Sequence, residues 1–289
     1  MKVTNKFGVP APLLTLANAE YYSKGAASYS VTELMSPPKI RRLREQYDHN
    51  IETDVSDMLW SMLGSALHVV MERGVTEGWV SEERLFLEID GVTISGAIDL
   101  QHNTAFGTEI IDYKMTSAWS VMREKAEWVQ QLNIYKYLVE KTKGERVVSL
   151  KVCAFIRDFS RHDARDEYPK APIHMVDLPV WSNEETEAYI KGRLEMHRNA
   201  KVAADLGDEL QPCTDEERWT SETVYAVKRE GRKTAIKLFK TIEEANELAE
   251  KEKGYVETRP GEPKRCTGNY CSVADWCQQF QGEKNDHFD

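Results

Sequence analysis

The stretch GAIDLQHNTAFGTEIIDYKMTS, residues 96–117, holds two apolar runs, each ended or interrupted by an aspartate: Asp99 in GAID and Asp112 in IIDYK. A lysine, Lys114, follows the second aspartate by two residues. The runs read as neighbouring strands joined by a turn-like segment. Only 12 residues separate the two aspartates, so the pairing brings them together readily. Two carboxylates suit a hard divalent cation, which takes oxygen ligands and keeps several waters. Such an ion acidifies a bound water and offsets charge on a phosphorus transition state. An ammonium beside it can orient the attacking water. Taken alone, the pattern also fits two strand-end acids with a solvated lysine partner, so the flanking sequence has to decide.

Upstream, VSDMLWSMLGSALHVVMERG (55–74) repeats its apolar residues at helical spacing, with Gly74 as a stop. Gly64 and His68 lie one turn apart on it. The small residue is expected to let the helix approach the sheet and aim an imidazole at the aspartates. RLFLEIDG (84–91) and VTISGAIDLQ (92–101) read as a hairpin turning at Asp90-Gly91. Downstream, 119–144 reads as one long helix. On it Gln131 and Tyr135 share a face, where an amide and a phenol can support the site or contact a phosphate or base. A β-branched strand at 147–158 follows, and then a helix from 182 with Ser182 and Glu185 as a capping box. On strand alternation Glu109 faces away from Asp112.

In chain order helix, strand, strand, helix, the motifs GSALH, GAID, IIDYK and QLNIY resemble those of the PD-(D/E)xK nuclease superfamily. Within it they are most similar to the RecB-type branch, with its CRISPR-associated RecB-like exonucleases and many phage nucleases. The resemblance covers roughly residues 30–200 and lies in the order and spacing of the motifs. It implies an α/β (α+β) fold: a restriction-endonuclease-like core with a central mixed sheet between flanking helices. It implies Mg2+ or Mn2+ held by His68, Asp99, Asp112 and the Tyr113 backbone carbonyl. Asp99, Asp112 and Lys114 would be catalytic, with Lys114 positioning or activating water, and Gln131 and Tyr135 would contact DNA or support the site. The chain has Asp112 where some branches carry glutamate. The expected activity is a metal-dependent DNA exonuclease of phage or prophage recombination or replication, with a protein of that machinery as the candidate partner. Two alternatives stay open: a catalytically silent DNA-binding or scaffold protein, and a structure-specific or nicking endonuclease.

The rest of the chain sets the organisation. Residues 1–30 read as an N-terminal arm and 31–205 as the nuclease core. Residues 206–262 read as a small ββαβ insert, with a second capping box at Thr241 and Glu244, and 263–289 as a cysteine-rich tail closing onto the core. Net charge is −10, which disfavours general nucleic-acid coating but allows a local basic lining. The basic clusters at 39–44, 157–165 and 228–237 read as solvated faces. No apolar run approaches the roughly 18–20 residues of a membrane span, and no signal peptide is evident, so a cytoplasmic location is expected.

Five cysteines make no disulfide framework. CTGNYCSVADWC places Cys266, Cys271 and Cys277 close together, and Cys213 is the best fourth thiolate for zinc or a [4Fe–4S] cluster. Cys153, in the β-branched strand, reads as a buried small hydrophobe. RecB-like relatives often pair three C-terminal cysteines with one upstream of the core. Here ELMSPPKIRR has Ser36 in place of that cysteine, a departure from the standard cluster.

Overall fold

The structure, a computed structural model, describes residues 1–19, 23–123, 125–163 and 165–286. Residues 20–22 of the arm, Glu124, Ala164 and the tail's last three residues, 287–289, lie outside the described residues. The chain forms two compact units, one of residues 1–38 and 49–207, the other of 39–48 and 208–289. Among the described residues no helix is long and apolar enough to cross a membrane.

The first unit is a mixed α/β layer structure around a six-stranded sheet. Its organising strand is Val92–Thr104. Along one edge it pairs antiparallel with Trp79–Ile89 through nearly its whole length. The joining turn has Asp90 at φ +51° and Gly91 at φ +74°, the left-handed pair that a tight hairpin needs. The other edge is shared. Tyr29–Ser30 pairs parallel with Ile94 and Ser95, and Gly107–Thr116 pairs antiparallel only from Leu100 to Thr104. Residues 96–99 therefore lie in a fork between two partners. Gly107–Thr116 continues past the fork, held from its other side by parallel pairing with Val147–Ile156. Ile173–Leu178, a strand not foreseen from the sequence, closes the sheet antiparallel to Val147–Ile156.

Helices cover the sheet. Leu132, Ile134, Leu138 and Val139 of Ala126–Lys143, with Ile190 and Leu194 of Asn183–Leu206, join Ile94, Ile98, Ile110, Leu150 and Val152 in the main core. Each fully buried leucine or isoleucine stabilises by about 2 kcal/mol. A smaller cluster of Leu100, Ile111 and Tyr113 packs against Leu67 and Met71 of the helix Leu59–Glu72. The Ser182–Glu185 capping box is formed.

Three local expectations are corrected. The 119–144 segment is a one-turn helix, Ala118–Val121, capped by Ser117, and then the helix Ala126–Lys143. The arm is not irregular throughout: Lys2–Thr4 pairs with Glu52–Asp54, and Ala11–Asn18 is helical. Gly64 makes no close approach, because a Cβ there would meet nothing within 4 Å. The close approach is at Gly96, where a Cβ would lie 2.7 Å from Leu138 Cδ1 and 2.8 Å from Tyr135 Cε1.

In the second unit, Val224–Lys228, Lys237–Phe239 and Tyr255–Arg259 form a three-stranded antiparallel sheet, with the helix Ile242–Lys251 packed on it. The Thr241 box does not form. Its hydroxyl donates to the Glu244 carboxylate at 3.0 Å instead of capping a backbone N–H. The 39–44 cluster is not simply a solvated face, since Lys39, Ile40 and Leu43 of that helix are buried.

Candidate active site

The fork in the sheet builds the site. Leu100 pairs with Ile111 as the last rung, so Asp99 and Asp112 occupy the next cross-strand position, where the strands part. Parting frees the Tyr113 N–H, and Asp99 Oδ2 accepts it at 2.8 Å. Asp99 and Asp112 are both buried. Burial first, and then the Asp112 charge, push the Asp99 carboxyl up to about 7.

Lys114 follows on the same strand, and its ammonium lies 2.5 Å from Asp112 Oδ2. Burial works against that ammonium, but the Asp112 and Asp99 charges outweigh it and hold its pKa above the usual lysine value. Both Asp112 oxygens are buried; Oδ2 is partnered by the Lys114 ammonium, and among the described residues Oδ1 has no hydrogen bond. Acceptor capacity of that kind, beside a second carboxylate, suits a hard cation.

His68 reaches the site from Leu59–Glu72, with Nδ1 3.6 Å from Asp99 Oδ1 and its ring edge-on to Tyr113. The same nitrogen lies 3.0 Å from Glu82 Oε1. The Glu82 hydrogen bond is the largest influence on the imidazole, and with the Asp99 charge it raises the pKa against the effect of burial. His68, Glu82 and Asp99 offer ligand atoms all within 4.8 Å of one another. Asp112 stands outside that tight group and is drawn to Lys114, although its charge reaches both His68 and Asp99.

Glu82 is the residue that sequence reasoning missed. It sits within Trp79–Ile89 at φ +51°, which is costly for a residue with a Cβ. The ladder runs from Ser81↔Leu100 to Glu83↔Ile98 and skips Glu82 and Asp99, so the distortion lies directly across from the aspartate. Nothing in the run SEER distinguishes Glu82 from Glu83, which instead accepts from Gln101 and pairs with Lys143. Glu109 is engaged elsewhere, with His102, Ser149 and Lys151.

Gln131 and Tyr135 are both buried, and the Gln131 amide donates to the Tyr135 hydroxyl at 2.9 Å. The Tyr135 ring packs over Gly96, three residues before Asp99. Both side chains thus pack beneath the fork.

A second constellation lies wholly within the other unit. Cys213, Cys266, Cys271 and Cys277 line one pocket, together with Lys39 and Phe280. Gln279 clamps the Cys213 backbone, accepting from its N–H at 2.9 Å and donating to its carbonyl at 3.0 Å. Burial first, then the Glu217, Cys277 and Cys271 charges, push the Cys213 thiol up to about 12. Cys153 is in the first unit, against the Tyr113 cluster, and burial raises its thiol.

A forked mixed sheet thus brings together paired carboxylates, a lysine two residues on and a helix-borne histidine, a donor set that suits a divalent cation. The profile of the PD-(D/E)XK nuclease superfamily matches residues 40–278, and the chain belongs to that superfamily. Among solved structures, SSO0001 aligns at 15% identity and a TM-score of 0.42, over 65% of this chain and 83% of its own. A candidate exonuclease from Eubacterium rectale aligns at 15% identity and a TM-score of 0.28, over 50% and 54%. No curated protein matches the chain.

Proposed function

We propose that this chain is a divalent-metal-dependent deoxyribonuclease of the RecB-like branch, acting as an exonuclease in phage or prophage recombination or replication. The observation that supports the nuclease reading is the buried Asp112 carboxylate, with Oδ2 on the Lys114 ammonium, Oδ1 without a hydrogen bond among the described residues, and its charge acting on both Asp99 and His68. His68, Asp99, Asp112 and the Tyr113 carbonyl would hold Mg2+ or Mn2+, with Glu82 as a further oxygen donor. When bound, the ion supplies an acidified water and offsets charge on the phosphate. The Lys114 ammonium, held by Asp112, would orient the attacking water. The Tyr113 N–H fixes Asp99, and Glu82 fixes the imidazole.

The test is cleavage of end-labelled linear DNA with Mg2+ or Mn2+. Asp112→Asn and Lys114→Ala should each lower the rate by about a hundredfold or more, with unchanged circular dichroism. Closed circular DNA should survive. Full activity in both variants overturns the nuclease site, and nicking of the circle favours the endonuclease alternative. DNA binding by the wild type without cleavage under any divalent ion favours the silent scaffold.

The pocket of four cysteines supports a second metal centre. Four thiolates suit a [4Fe–4S] cluster or zinc, and the ligand spacing would fasten the two ends of the 206–262 insert. Lys39 beside the sulfurs would balance part of their charge.

A further inference from the structure

Just beyond Lys114 the motif strand ends, and two exposed tryptophans stand at its exit. Trp119 is five residues past Lys114, and Trp60 begins the helix that carries His68 two turns later. Each indole is half exposed, at 50%. Neither is an isolated surface residue. The Arg157 guanidinium lies over Trp60, 4.7 Å from the ring centroid, and Arg123 and Lys125 lie over Trp119 at 4.6 and 4.8 Å.

Two backbone N–H groups hold together the segments that carry Arg157 and Trp119. The Arg157 N–H donates to the Thr116 carbonyl at 2.9 Å, and the Ala118 N–H donates to Asp158 Oδ1 at 2.7 Å. Arg157 is thus locked beside the strand end, and the residue after it holds the residue before Trp119. Ser117 caps the turn that follows. Trp60 with Arg157, and Trp119 with Arg123 and Lys125, thus flank the end of the strand that carries Lys114. Among the described residues no carboxylate pairs with any of these three cations.

A chain of net charge −10 gathers three cations here, interleaved with open aromatic faces. That combination is complementary to a phosphate backbone with accessible base faces. A duplex hides its base faces in the stack, whereas a single strand offers them. We infer that this surface is a single-strand track, on which bases stack on Trp60 and Trp119 while Arg157, Arg123 and Lys125 meet the phosphates. It deepens the nuclease reading and rests on it: the track would feed an unpaired strand to the fork.

The test uses the full chain carrying Asp112→Asn, so that DNA is held and not cut. Binding of a fluorescent 20-nucleotide oligo(dT) and of a duplex of equal length is followed by anisotropy at fixed salt. Trp60→Ala and Trp119→Ala should each weaken oligo(dT) binding by about five- to a hundredfold, and leave duplex binding within about twofold. Trp60→Phe and Trp119→Phe should restore most of it, and oligo(dT) should quench tryptophan emission. Unchanged oligo(dT) affinity in both alanine variants overturns the track, as does an equal loss on the duplex. Either result leaves the nuclease reading standing if the wild type still cleaves DNA; absence of both binding and cleavage sinks the two together.

Discussion

Without a cation, Asp99 sits buried beside a second carboxylate, with its pKa raised to about 7 from an ordinary value near 4. Between those values the folded chain keeps a proton that the unfolded chain has released. Asp99 therefore lowers stability as pH rises from about 4 to about 7, and the loss is complete above that. Asp99→Asn keeps an acceptor for the Tyr113 N–H and removes the charge. In chelator, its melting temperature should match wild type near pH 4 and exceed it by on the order of 5 °C at pH 8. Added Mn2+ should raise the wild type and not the variant. A pH-independent difference between the two would contradict this assignment. Glu82 belongs to the same account: its left-handed backbone is strain kept across from the aspartate, where it sets the imidazole.

At the scale of elements, the site exists because Val92–Thr104 changes partners along one edge. Tyr29–Ser30 and Gly107–Thr116 each take part of that edge and leave 96–99 open. Gly96 lets the Ala126–Lys143 helix lie tight against the fork. Gly96→Ala should cost about 1–3 kcal/mol in urea denaturation, because Tyr135 and Leu138 must move. Gly64→Ala should do the reverse, adding up to about 1 kcal/mol, since helix propensity improves and nothing is struck. Equal effects of the two substitutions would show that the close approach has been misplaced.

The whole molecule draws its second unit from two separate pieces of chain, 39–48 and 208–289. The early piece is the basic helix whose Lys39, Ile40 and Leu43 line the cysteine pocket. Within this unit Tyr47 also stacks on Trp276, and Arg44 donates to Ser272. Anaerobically purified protein should contain iron, with a broad absorption band near about 400 nm, or stoichiometric zinc without colour. Cys213→Ala should lower metal content and melting temperature together, because binding energy at such a centre is folding energy. Full metal content in that variant would remove Cys213 as a ligand, and metal-free wild type would remove the centre.

The sequence by itself determined the strands that carry Asp99, Asp112 and Lys114, the helix of His68, the superfamily and the mixed α/β class. Those follow from local periodicity, turn chemistry and motif order, which a linear chain displays. Gly96 was visible inside GAID, but its role needed Tyr135 to arrive from 39 positions downstream. Only the tertiary structure decided that Glu82 joins His68 and Asp99, that the Gln131 amide meets the Tyr135 hydroxyl in a buried position, and that the 39–44 helix belongs with the cysteines. Each of these depends on a backbone angle or on a contact between distant segments. Neither leaves a periodic trace in the chain, because composition and spacing report which residues are near in sequence and not which ones the fold brings face to face.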